Sequence, residues 1–283
     1  MLSSVRRCLA IVTCLPAAIA TCADDPDPPP TDLPPELLAL IVRPDPHRPL
    51  PFGPGEVLVY HIGWGIFDVA TAELSVAADS VDDQPALRVT LTTRTNGFAD
   101  ALYRVRNETH SWIDPQVSRT LHYMNNQDEG KRQRMVIVDF DWEAGTVRYD
   151  NRYEDRIYAP IALPEYAFDP LAITHFVRSL DFAVGREWLI PTTTGREHFI
   201  SVVRVTGKEQ RRFRLGRREA WVVEPDVKDV GGVFRRARNS SLRFWISADA
   251  HRYPLRMESS VSVGRFWAEL VEVRTAAPEA GGR

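Results

Sequence analysis

The alternation of apolar and polar side chains becomes regular after Glu56. Leu58, Tyr60 and Ile62 alternate with Val57, Val59 and His61 until Gly63-Trp64-Gly65 interrupts the run, and Phe67 to Ala77 resumes it. Leu87 to Thr95 is stricter, with Leu87, Val89 and Leu91 on one face and Arg88, Thr90 and Thr92 on the other. A period of two predicts half-buried antiparallel strands. Val105 to Ile113 and Arg119 to Met124 are further candidates. Gln133 to Trp142 and Thr146 to Arg152 flank Glu143-Ala144-Gly145, the pattern of a hairpin with a three-residue loop. One segment has the helical period instead. Pro170 to Phe182 carries Ile173, Phe176, Val177 and Leu180 as a buried stripe, with Asp169 placed to cap it and Pro170 suited to its first position. Strand patterns then return: Glu187 to Pro191, His198 to Thr206, Gln210 to Leu215, Ala220 to Glu224, Ser241 to Ser247, Pro254 to Val261 and Arg265 to Val273. Many strands and a single helix predict an all-β fold, a mostly antiparallel curved sheet, barrel-like or sandwich, with one central α-helix.

The start of the chain reads differently. Residues 1–23 combine Arg6 and Arg7, a short apolar run from Cys8 to Ala20 and a small-residue exit, the pattern of an export signal. Residues 24–50 are a Pro-rich linker, 51–274 a single β domain, and 275–283 a small-residue tail expected to be disordered. All three cysteines, Cys8, Cys14 and Cys22, lie in the signal, so the exported domain has no thiol for disulfide, metal or nucleophile. Ile19-Ala20-Thr21-Cys22 resembles a bacterial lipobox, in which Cys22 would be lipidated; ordinary cleavage after Ala23 is the other reading. The expected location is periplasmic or attached to the envelope, with membrane contact only through that anchor.

Composition is ordinary for a globular protein, and the net charge of -3 speaks against a nucleic-acid partner. The charge is uneven, however. Lys208 to Arg243 holds eleven basic and five acidic residues. Arg211, Arg212 and Arg214 gather at one turn, and Arg235 and Arg236 at another. Guanidinium groups bind phosphate and carboxylate in two-point fashion, so these arginines are candidates for an anionic envelope lipid or glycan; solvated hairpin ends are the plainer reading.

Candidates for catalysis are sparse. Asp139, Asp141 and Glu143 alternate along one strand, which admits an acid–base pair of the glycosidase kind or simply a solvated face opposite Val136, Val138 and Phe140. His110 and His122 could meet across strands, but no H-E-x-x-H, no G-x-S-x-G and no Gly-rich phosphate loop is present, and nothing demands a cofactor. Trp64, Trp112, Trp142, Trp188, Trp221, Trp245 and Trp267 either line a ligand cavity or pack a core.

Several motifs resemble a known family in order and spacing. Pro51-Phe52-Gly53-Pro54-Gly55-Glu56, with Leu58, Tyr60 and Trp64-Gly65, resembles the opening of the DUF3108 family of exported bacterial proteins. Asp169-Pro170-Leu171 resembles its central helix. Phe244-Trp245-Ile246-Ser247 with Asp249, then Tyr253-Pro254-Leu255-Arg256, resembles its closing signature, and Val263-Gly264 with Ala268-Glu269-Leu270 its last strand. The resemblance implies an exported β-rich fold and carries no catalytic residues. The function expected is a non-catalytic binder of lipid, glycan or an envelope protein, with a hydrolase using paired carboxylates as the alternative.

Overall fold

The computed structural model describes residues 41–226, 241–261 and 264–275. The export signal with Cys22, and the arginines Arg235 and Arg236, lie outside the described residues. Fifteen strands are found among the described residues, in one antiparallel sheet. The first group is β1 (Val57–Trp64), β2 (Phe67–Val81), β3 (Gln84–Thr95), β4 (Val105–Ile113), β5 (Thr120–Glu129), β6 (Arg132–Asp141) and β7 (Thr146–Asn151), each paired with the next. Two short strands, β8 (Arg156–Ile157) and β9 (Ile161–Ala162), both pair with β7. The second group is β10 (Glu187–Thr193), β11 (His198–Phe213), β12 (Gly216–Pro225), β13 (Ser241–Ser247), β14 (Pro254–Val261) and β15 (Gly264–Arg274). The last strand, β15, returns to pair with β1 and joins the groups. Two helices stand among the described residues, α1 (Gly97–Asp100) and α2 (Ala172–Ser179).

The sheet curls, and non-strand chain closes the gap between its edges. Phe168 exchanges backbone hydrogen bonds with Pro191 and Thr193 on β10, while the Thr120 amide of β5 donates to Ala167. Ile41 bridges to Leu189, also on β10. An edge strand left bare would invite pairing with another chain, and these segments cover it. The result is barrel-like, as the strand pattern predicts. Ile41 and Val42, in the stretch read as linker, take part in that cover.

Two strand patterns differ from expectation. His198–Phe213 is one continuous strand rather than two, because a bulge at Gly207 absorbs the break in alternation and lets pairing with β12 continue. The β6–β7 loop is longer by one residue than the Glu143-Ala144-Gly145 reading, since Asp141 pairs directly with Thr146.

The central helix is shorter than Pro170 to Phe182, because Leu180 turns to extended backbone. It also begins two residues later than Pro170, at Ala172, but Asp169 still takes up the free amides there. One oxygen of Asp169 accepts from the Leu171 and Ala172 amides at 2.8 and 3.1 Å. The other accepts from the hydroxyls of Ser111 on β4 and Thr120 on β5. Asp169 thus caps the helix and fastens it to the sheet with one buried carboxylate. Asp169→Ala is expected to cost about 1–2 kcal/mol through the lost cap, measured as a fall in the midpoint of urea unfolding; an unchanged midpoint would show that the helix start is held by other contacts.

Both sides of α2 are buried: Ile173 and Val177 toward one side of the interior, His175 and Arg178 toward Phe52 and Glu56. Arg178 is 0 % exposed and joins distant parts of the chain. Its guanidinium donates to both oxygens of Glu56, at 2.6 and 2.9 Å, and to the carbonyls of Arg252 and His251. The opening Phe52-to-Glu56 motif, the helix and the Asp249-to-Pro254 turn therefore meet at one side chain.

Candidate functional site: an apolar cavity that borders a polar wall

The inward face of the sheet is organised as rows that cross the strands, because paired residues on neighbouring strands point to the same side. One row runs Leu58, Leu74, Leu91, Thr109, Asn125, Val136. The next runs Tyr60, Ala72, Thr93, Asn107, Gln127, Arg134. Every residue of both rows is buried. In each row the chemistry changes between β2 and β4: apolar over β1 and β2, largely polar from β4 onward.

Over the apolar half lies a cavity of about 160 Å³ between the sheet and α2. Helix residues Ile173, Thr174 and Val177 form one wall. Strand residues such as Leu74, Leu91, Val203, Val223, Ile246 and Met257 form the rest. Its polar residues are Tyr60, Thr93, Thr174, Ser201, Asp226 and Arg256, the last paired with Glu258 and Glu269. The Tyr60 hydroxyl already donates to the Pro254 carbonyl at 3.0 Å, and burial pushes its phenol up, so it stays a neutral donor. A cavity of this kind resembles the apolar voids of roughly 150 Å³ that stay dry and accept small apolar guests. Pro225 and Asp226, partly exposed at the end of β12, also line it. At the same end of the sheet the β1–β2 turn and α1 expose Ile66, Phe67, Phe98 and Leu102, with the Phe67 and Phe98 rings 6.4 Å apart.

The polar half is hydrogen-bonded across strands. Asn107 donates to Glu129 at 2.6 Å, Thr109 to Asn125 at 3.2 Å, and Arg134 to the Tyr149 hydroxyl at 2.5 Å. The Gln127 amide nitrogen is fully buried without a partner among the described residues.

The candidates read from sequence lie elsewhere. Arg211 and Arg214 sit where the tip of the β11–β12 hairpin lies over the outward face of β14, β15 and the β1–β2 corner. Arg211 pairs with Glu258 at 3.1 Å and stacks on Trp245, while Arg214 pairs with Asp68 at 3.2 Å and stacks on Trp267. Arg212, between them on the same tip, lines no part of the cavity. The seven tryptophans do not line it either; its aromatic residues are Tyr60 and Phe244. Trp245 and Trp267 face outward beneath arginines, and Trp188 packs against Phe182.

Asp139 accepts from His122 and Arg148, and these bonds hold its carboxyl down at about 2. A general acid needs the opposite shift. Asp141 accepts from the Ala144 amide in the hairpin turn. His110 and His122 are held apart by the ring of Trp112, which contacts both. Sequence reasoning missed Arg134, Gln127 and the polar rows. Their signal was the alternation Asn107, Thr109, Ser111, which is inconspicuous beside the equally polar Arg106, Glu108 and His110.

A curled antiparallel sheet enclosing a helix places the molecule among barrel-like β proteins. The chain belongs to the DUF3108 family, a protein family of unknown function, whose match spans residues 59–271. Among solved structures it is similar to a beta-barrel-like protein of the domain of unknown function DUF1849 from Brucella abortus. The two share 11 % identity at a TM-score of 0.50, over 83 % of this chain and 99 % of that one. It is also similar to the hypothetical protein CT021 from Chlamydia trachomatis, with 13 % identity and a TM-score of 0.33, over 81 % of this chain and 91 % of that one. No curated protein matches the sequence.

Proposed function

We propose that this protein is a non-catalytic binder, exported to the bacterial envelope, that holds the apolar part of a lipid-like molecule inside its curled sheet. The observation that carries the reading is the cavity between α2 and the sheet, lined mostly by apolar side chains. A void left among such residues forfeits contacts on every wall, so an unfilled one costs stability. An apolar guest restores those contacts. The exposed Ile66, Phe67, Phe98 and Leu102 provide an apolar surface at the end of the sheet where Pro225 and Asp226 line the cavity, which suits a ligand that arrives from a membrane. The amino-terminal signal pattern supports the exported location.

The test is titration of the purified domain with the neutral fluorescent reporter N-phenyl-1-naphthylamine. Saturable binding is expected. Ala72→Phe, which places a ring where the small Ala72 side chain now lines the cavity, is expected to weaken binding at least tenfold while circular dichroism stays unchanged. Equal binding by both proteins would refute the assignment to this cavity. Native mass spectrometry of the protein purified from its envelope identifies the natural occupant, and a species without an apolar chain would also overturn the reading.

A further inference from the structure

We propose that the polar rows on β4, β5 and β6 form a second subsite, which takes the anionic end of the same ligand. Arg134 supplies the charge and the Gln127 amide a hydrogen-bond donor. The inference rests on the cavity reading and adds the class of ligand: an amphiphile whose head is a carboxylate or a phosphate.

Position comes first. Tyr60, Ala72 and Thr93 line the cavity and are the first three members of the row that continues through Asn107 and Gln127 to Arg134. The two surfaces are therefore one wall. Strands lie about 4.8 Å apart, so Thr93 and Arg134 are separated by three steps, roughly 14 Å. A medium-length acyl chain covers that distance. The rows adjoin at the helix start as well, since Pro170 borders both the apolar cavity and a second, small pocket beside Asn125, Tyr149 and Thr193.

Chemistry comes second. A guanidinium turned to the inside of a barrel is costly unless it is paired, and the partner it has is the neutral Tyr149 hydroxyl. Glu129 shares the inward face, where one of its oxygens accepts from Asn107. One row member over, the Gln127 amide nitrogen is buried without an acceptor, although buried amides are nearly always bonded. A cation and a spare donor side by side on the row that continues the cavity wall match an anionic head, and a guanidinium can grip a carboxylate or a phosphate with two parallel bonds. The hydroxyl of a neutral alcohol would leave the charge unmet.

The test uses the full domain at pH 8 with N-phenyl-1-naphthylamine as reporter and three competitors with the same chain: dodecanol, dodecanoate and dodecyl phosphate. At least one anionic competitor is expected to displace the reporter tenfold better than dodecanol, and whichever does so identifies the head as carboxylate or phosphate. Arg134→Gln is expected to abolish that advantage while dodecanol competes as before, which also shows that the variant is folded. Arg134→Lys is expected to keep part of the advantage, and Gln127→Leu to reduce it. Equal competition by all three compounds in the wild type would overturn the subsite and leave the cavity reading intact. Persistence of the advantage in Arg134→Gln would place the head elsewhere and overturn it too. Failure of the reporter to bind would defeat the cavity reading first, and the subsite with it.

Discussion

Arg178→Met is expected to lower folding stability by about 3–5 kcal/mol, the usual result of removing one partner from a buried ion pair. The arginine is fully buried, and both of its terminal nitrogens are committed to Glu56. Without it the Glu56 carboxylate stays in the interior with no cation, and the carbonyls of His251 and Arg252 lose their donors. Packing is lost as well, because the guanidinium lies 4.9 Å from the ring centre of Phe52 and 5.9 Å from that of Tyr253. The double variant Arg178→Met, Glu56→Leu is expected to recover a good part of the loss, since it removes the orphaned charge together with its partner. Chemical denaturation of both variants beside the wild type measures the difference. If the double variant were as unstable as the single one, the penalty would come from the lost carbonyl bonds and stacking, and the charge pair would not be the source.

That junction brings three separated motifs of this chain together at one side chain. Pro54-Gly55 reads correctly as a turn, with Gly55 at a positive φ of 91°, and Asp249 bonds the His251 amide in its own turn as expected. What the sequence could not disclose is that a charged residue of the helix points inward. Arg178 on an amphipathic helix reads as solvent-facing, and Glu56 at a strand entrance reads likewise; only the long-range meeting of the two makes burial tolerable. The strands of the apolar half were legible because their faces differ in polarity, as in Leu87 to Thr95. In β4 and β5 both faces are polar, so a period of two exists without a contrast to display it, and the interior wall from Asn107 to Arg134 passed unseen. The basic segment was legible as charge. Its partners, Asp68 and Glu258, lie on strands distant in sequence, and neutralisation by them could not be read from local composition.

Acid is expected to destabilise the domain through His175. Its side chain is 0 % exposed, both ring nitrogens lack partners among the described residues, and its edge contacts Phe52 at 4.7 Å. Burial, and then the nearby Arg178 charge, hold its pKa well below the ordinary 6.5. The unfolded chain therefore takes up a proton near 6.5 that the folded one refuses. Stability is fully retained above that pH, and it falls by about 1.4 kcal/mol for each unit below it until the folded value is reached. Asp169 acts in the opposite sense. Burial raises its carboxyl above 3.8 against its four hydrogen-bond donors, so in the window just above 3.8 the folded state binds the proton more readily, and lowering the pH there favours folding. The two slopes overlap in moderate acid, which is why a single pH profile of the wild type would mislead. His175→Leu separates them. Its stability between pH 6.5 and 4.5 is expected to fall less steeply than that of the wild type, by up to about 1.4 kcal/mol per pH unit, and the loss that remains comes from His110 and His198, which burial also holds below the ordinary 6.5. Parallel profiles for the two proteins, measured by urea unfolding at each pH, would show that the buried imidazole gains its proton without cost and that the acid response of this fold originates at another group.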